Sequence, residues 1–284
     1  MLFQEQVRKV KQAAPKLAAT TNEQRNAALT AVREALLQHQ AEIFEANKQD
    51  LAQAEADGVS GPVRKRLKFD EGKLRDVTAG ISDLTKMEDP LFQTQFAREL
   101  DEGLVLKRVT CPIGVIGVIF EARPDALVQI SALCIKSGNC VILKGGREAL
   151  RSNKKLFDII HEAIIDAGLP ADSMMQLEAR SEINELLECH ESVDLLIPRG
   201  SNAFVQYIMN HTKIPVMGHA DGICHIYVDK DADLAKAVPI IVDAKTQYVS
   251  ACNTVETLLV HEAIKDQLLP MLKEALDAKK VELR

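Results

Sequence analysis

The sequence lacks the signatures of several large protein classes. Its six cysteines, Cys111, Cys134, Cys140, Cys189, Cys224 and Cys252, form no C-x-x-C pair and show no metal-type spacing with histidine. No metal site is therefore expected, and because most of them lie in apolar runs they read as free, buried thiols of a reducing compartment. No uninterrupted apolar stretch approaches the roughly 18 residues that span a bilayer. The amino terminus carries Glu5, Arg8, Lys9 and Lys11 with no apolar core, so a secretory signal is not expected and the cytoplasm is the default. Positive charge is not in excess either. A net charge of −6 argues against general nucleic-acid binding and against an electrostatic hold on anionic membranes. Neither a P-loop nor a G-x-G-x-x-G fingerprint occurs.

What remains is an ordinary globular composition, 46% hydrophobic and 27% charged, over 284 residues, enough for about two domains at roughly 100–200 residues each. Residues 1–88 favour helices. Asn22 is a suitable cap for a helix carrying Ala27, Leu29, Val32 and Leu36, and another helix runs from Ala41 to Ala56. Ser60-Gly61-Pro62 reads as a turn, and Asp70–Met87 as a further amphipathic helix. This layer carries no evident chemistry and reads as a helical cover and oligomer contact. Residues 91–112, with a strand at Leu104–Val109, suggest a projecting oligomerisation arm.

From Gly114 the pattern changes to short buried strands alternating with helices. Strands are expected at 114–120, 140–143, 174–177, 193–197 and 215–217, with helices between them. That alternation predicts an α/β fold with a doubly wound, Rossmann-like parallel sheet, whose ligands gather beyond the carboxyl ends of the strands. Three loops stand out there. In Glu121-Ala122-Arg123-Pro124-Asp125, Arg123 could bind an anion with two parallel hydrogen bonds, or form a salt bridge to Glu121 or Asp125. Lys144-Gly145-Gly146-Arg147 opens a helix with two glycines and two cations, which suits a phosphate and equally suits a charged turn. Pro198-Arg199-Gly200-Ser201-Asn202 repeats that character.

Further on, His219 sits between glycines, open to a cleft role or a structural one, and His225 reads as a core residue of a strand ending at Val228. Helix 232–244, strand 254–260, helix 262–276 and a strand beginning at 281 complete the chain. Between them lies Tyr248-Val249-Ser250-Ala251-Cys252-Asn253-Thr254. A cysteine at such a helix-to-strand junction can have its pKa lowered by backbone N–H groups that also receive an oxyanion. A buried, inert thiol is the alternative.

Five ordered motifs, Gly114–Asp125, Leu143–Ala149, Ile197–Asn202, Gly218–His225 and Ala251–Asn253, resemble the gamma-glutamyl phosphate reductase family, a proline-biosynthesis branch of the aldehyde dehydrogenase superfamily. The resemblance runs along the whole chain. It implies NADPH-dependent reduction of L-glutamyl 5-phosphate to L-glutamate 5-semialdehyde with release of phosphate. Cys252 is then the nucleophile and Asn253 its neighbour at the oxyanion. Arg123 matches the place of an oxyanion asparagine and would also contact substrate. His219 stands where hydrolytic relatives carry a water-activating glutamate, and so would face substrate. Lys144, with Gly145, would reach the adenosine ribose, and Arg147 would favour the 2′-phosphate of NADP(H). Gly200 and Ser201 would lie near the pyrophosphate. A homo-oligomer and glutamate 5-kinase are the implied partners.

The expected division is an NADP-binding domain at 1–228 and a catalytic α/β domain at 229–284. The family continues past Arg284, so only the amino-terminal part of that second domain is expected. A coenzyme A-acylating aldehyde dehydrogenase, or an inactive nucleotide-binding or assembly module, are the competing readings.

Overall fold

In the computed structural model the residues described are 3–179, 181–218, 222–249 and 253–284. They fall into two compact units, Met1–His219 and Ala220–Arg284.

The first unit begins with five helices, α1 (Phe3–Ala18), α2 (Asn22–Gln38), α3 (Gln40–Ala56), α4 (Gly61–Leu67) and α5 (Glu71–Lys86). Thr21, not Asn22, caps α2. Its side chain accepts from Gln24 N while Gln24 Oε1 accepts from Thr21 N, so the Thr-x-x-Gln spacing outweighs the intrinsic preference of Asn22. The expected turn at 60–62 instead opens α4, with proline in the first turn, where its missing N–H costs nothing. α2, α3 and α5 cover the helices of the sheet described below. Buried Asn47 and Asp50 of α3 supply polar anchors: Asp50 accepts from the Ser152 backbone N and hydroxyl, each at 2.7 Å, and Asn47 accepts from Phe69 N at 2.8 Å.

An antiparallel hairpin follows, β1 (Thr94–Asp101) and β2 (Leu104–Val109), exposed at every residue. Only β2 is legible as a strand in the sequence; β1, TQFARELD, mixes charged and apolar residues without a buried face. The hairpin's root is fixed in the core. Asp89 pairs with the buried Arg25 at 2.7 Å and accepts from Leu91 N, while Lys136 donates to Asn22, Asn26 and the Met87 carbonyl.

The parallel sheet is built from β3 (Val115–Ile119), α6 (Pro124–Lys136), β4 (Cys140–Lys144), a 3-10 turn (Arg147–Ala149) leading into α7 (Leu150–Asp166), β5 (Met174–Leu177), α8 (Ser181–Leu187), β6 (Leu195–Pro198) and α9 (Asn202–Asn210). The strand order is β5-β4-β3-β6. β3 and β4 are buried throughout, which explains the apolar run of β3 and of β4 up to Leu143. Gly117 makes room for β6, since a Cβ there would come within 2.5 Å of the Leu196 side chain. The expected strand at 215–217 is reduced to a single parallel bridge, Leu196 to Val216.

The second unit holds β7 (Cys224–Val228), α10 (Leu234–Thr246), β8 (Val255–Val260) and, after a 3-10 turn, α11 (Lys265–Asp277). β7 and β8 pair in parallel over a core of Val228, Ile241, Ile264, Leu268, Leu272 and Leu276. The division therefore falls before β7 rather than after Val228, because the hydrogen-bonding partner of β7 is β8. No strand forms at 281–283; Val281 packs on that core. His225 is exposed, not a core residue, because β7 has one open face and Tyr227 shares it.

Candidate active site

In the first unit the register fixes where the three loops begin. Ile119 of β3 lies level with Lys144 of β4 and with Pro198 of β6, so residues 120–125, 145–148 and 199–201 leave the sheet at one height. Phe120 N donates to the Lys144 carbonyl at 3.0 Å, and Arg199 N donates to the Ile119 carbonyl at 2.7 Å. Strand order reverses between β3 and β6, the position at which open α/β sheets bind ligands.

The loop after β3 turns on Ala122, a buried alanine with φ of 43°. Its N–H donates to Glu148 Oε1 at 2.5 Å. Arg123 follows, half exposed, and its guanidinium meets the buried Asp125 carboxylate at 3.0 Å; Lys73 of α5 meets the same carboxylate at 3.0 Å. Burial pushes the Asp125 carboxyl up, but hydrogen bonds from Arg123 and Lys73 outweigh it, and the group lies below its ordinary value. Glu121 goes the other way. Burial first, then the neighbouring Glu148, raise it, against a smaller pull from Arg66.

In the loop after β4, Lys144 is buried and its Nζ donates to the Gly145 carbonyl at 2.6 Å. Gly145 is itself buried. A side chain there would collide with Asn153, and one at Gly146 would collide with the Glu148 carboxylate. The two glycines thus admit these protein groups to the loop. Arg147 is exposed at the start of the 3-10 turn.

The loop after β6 brings Gly200 close to Glu121, whose Oε1 would lie 3.1 Å from a Cβ at that position. Ser201 caps α9, its side chain accepting from Phe204 N at 3.3 Å. Beside this helix start, α8 and α9 enclose a cavity of about 260 Å³ lined by Ile183, Asn184, Phe204 and Tyr207. Its wall combines two aromatic faces with the Asn184 amide, which accepts from the Tyr207 hydroxyl at 3.2 Å. An open cavity with aromatic walls, a helix amino end and the cations Lys144, Arg147 and Arg199 along one edge are compatible with a dinucleotide.

Arg123, Lys144, Gly145, Arg147, Gly200 and Ser201 are thus brought to one edge of one sheet. In the second unit, Asn253 is exposed at a turn before β8, and Thr254 next to it is buried and donates to the Tyr248 carbonyl at 2.7 Å. Cys252 and His219 lie outside the described residues. Sequence reasoning missed Glu148 and Lys73 as parts of this edge. Asp125, two residues from Arg123, was visible as a salt-bridge partner, whereas Glu148 and Lys73 act on a distant loop and left no local signal.

Comparison with known proteins agrees with this architecture. The model of the aldehyde dehydrogenase family matches residues 3–283. The chain is 56% identical over 283 residues to a gamma-glutamyl phosphate reductase of Pelotomaculum thermopropionicum, and it spans 65% of that relative's length. The crystal structure of gamma-glutamyl phosphate reductase from Thermotoga maritima superposes on 99% of the chain with a TM-score of 0.94 at 35% identity; 68% of that protein is covered. The Saccharomyces cerevisiae enzyme of the same name gives 0.73 at 42% identity, covering 96% of this chain and 70% of its own. An acetylating aldehyde dehydrogenase from Geobacillus thermoglucosidasius shares the fold, at 19% identity and a TM-score of 0.64. A nicotinamide cofactor is implied by the family and suits the sheet edge. The chain belongs to the aldehyde dehydrogenase family.

Proposed function

We propose that the chain carries the cofactor domain, and the nucleophile, of an NADPH-dependent reductase of L-glutamyl 5-phosphate, yielding L-glutamate 5-semialdehyde and phosphate. The observation that carries this reading is the convergence of Arg123, Lys144, Arg147 and the Gly200-Ser201 helix start on the edge where the strand order reverses. Two relatives named gamma-glutamyl phosphate reductase, in bacteria and yeast, support the choice of substrate.

The Cys252 thiolate attacks the acyl carbon, and phosphate departs with the bonding electrons of the C–O bond, leaving a thioester. Arg123 bears on the developing charge at the carbonyl or phosphoryl oxygen, and Asn253 with the Cys252 N–H receives the oxyanion. NADPH, when bound, supplies the hydride that reduces the thioester carbon. Collapse of the tetrahedral adduct then returns the electron pair to sulfur and frees the aldehyde. His219 fits this scheme because it replaces a water-activating glutamate, and activated water would destroy the thioester. Lys144 and Arg147 on the ribose and its phosphate favour NADP(H) over NAD(H). Supply of the acyl phosphate by glutamate 5-kinase, a homo-oligomer and a cytoplasmic location complete the proposal.

The test is the reverse reaction. Glutamate semialdehyde and NADP are supplied with either phosphate or coenzyme A, and NADPH is read by absorbance. Phosphate-dependent NADPH formation that Cys252→Ser abolishes is expected. Formation that requires coenzyme A would replace this reading with the acylating one.

A further inference from the structure

We propose that Glu148 is a positioning residue for Arg123: from the cofactor loop it holds the Ala122 peptide in its left-handed conformation and so fixes where Arg123 emerges. The inference rests on the reading of residues 121–125 and 144–148 as substrate and cofactor loops.

The geometry is specific. Glu148 stands in the first turn after Gly146, where a carboxylate would ordinarily cap its own helix. Its Oε1 instead accepts the N–H of Ala122, 26 residues earlier, at 2.5 Å. Ala122 has φ of 43°, a conformation that L residues with a Cβ rarely adopt, and it is 3% exposed. An outside group must therefore hold it, and this hydrogen bond is the one described at its amide. The carboxylate also lies flat against Gly146, in space that any side chain there would fill. One group thus touches both loops. Arg123 is the next residue along the chain, and its pairing with Asp125 starts from the turn that Ala122 makes. Glu148 holds this place although Glu121 is a like-charged neighbour, which adds to burial in raising the Glu121 carboxyl. Displacement of the Gly146-Arg147 backbone by a bound phosphate would be passed towards Arg123 through this contact.

Selective ¹⁵N-alanine labelling tests the arrangement, with the Ala122 signal identified by its loss in Ala122→Gly. In the wild-type chain the Ala122 amide should exchange slowly. Glu148→Gln keeps a carbonyl acceptor, so slow exchange should survive. Glu148→Ala should speed Ala122 exchange about 10- to 100-fold, the loss expected for a hydrogen bond to a charged group. Ala132, further along α6, should keep its wild-type rate. An Ala122 amide as slow in Glu148→Ala as in the wild type, or a glutamine variant no better than the alanine one, overturns the proposal. NADPH titration, followed by nicotinamide fluorescence, runs alongside. No NADPH binding with the expected Ala122 behaviour removes the cofactor reading and leaves the tether; binding with Ala122 indifferent to position 148 does the reverse.

Discussion

The carboxylates around the β3 loop pull in opposite electrostatic directions, and that opposition can be measured. Asp125 has its folded pKa below its ordinary value, so it adds stability above the unfolded value of about 3.9 and loses it as pH falls through the lower folded value. Asp125→Asn should therefore lower the denaturation midpoint at pH 7 and cost progressively less as pH falls below about 3.9. Glu121 has its pKa raised, first by burial and then by Glu148. Its folded form favours the proton, so stability is fully present below the unfolded value of about 4.3 and declines as pH rises through the folded value. Glu121→Gln should raise the midpoint at pH 7 and change nothing in acid. Urea melts at the two pH values check both, and melts in which the two variants move together would contradict the assignment. Arg147 carries the cofactor prediction at this scale. Arg147→Glu should reverse the preference for NADPH over NADH, read as the ratio of dissociation constants, because a carboxylate repels the 2′-phosphate that a guanidinium attracts. Arg123→Ala should cut kcat/KM with acyl phosphate by about 10²-fold or more, the range for a lost charge-stabilising contact.

Among the elements, the hairpin of β1 and β2 is the one whose sequence and environment disagree. Phe96, Leu100, Leu104, Val105, Leu106 and Val109 are all roughly half exposed, which a lone soluble chain has no reason to maintain. We expect a second copy to cover them. Charged substitution at both Leu104 and Leu106 (Leu104→Glu with Leu106→Glu) should reduce the mass seen by sedimentation and leave the circular dichroism of the helices intact; an unchanged mass would place the subunit contact elsewhere. The elements legible in the sequence were those with one dominant physical cause. β3 and β4 are apolar because both faces are covered, and α5 shows its Asp70 cap and its buried stripe of Leu74, Val77 and Ile81. Elements governed by distant partners were not. β1 has no burial to print a pattern on it, α4 hides behind Ser60-Gly61-Pro62, and His225 alternates like a core residue although its side of β7 is open. The candidate site divides the same way. Lys144, Arg147, Gly200 and Ser201 are marked by position after a strand, whereas Glu148 acts across 26 residues and nothing near it in sequence announces the contact.

For the whole molecule, the order β5-β4-β3-β6 carries a cost in time. β3 meets β4 after one helix, but its other edge is closed by β6, with Ile116 opposite Leu195. As the chain leaves the ribosome, β3 at the centre of the sheet therefore waits, half-paired and wholly apolar, until about nine-tenths of the first unit has been made. Long-range closure of this kind slows folding and lengthens exposure to wrong partners. Gly117 sharpens the point, because the notch it leaves is filled by Leu196, with Leu186 and Val193 beside it, all at least 69 residues later in the chain. Nascent chains halted before Leu195 should lean on chaperones, and those released beyond Met217 should not.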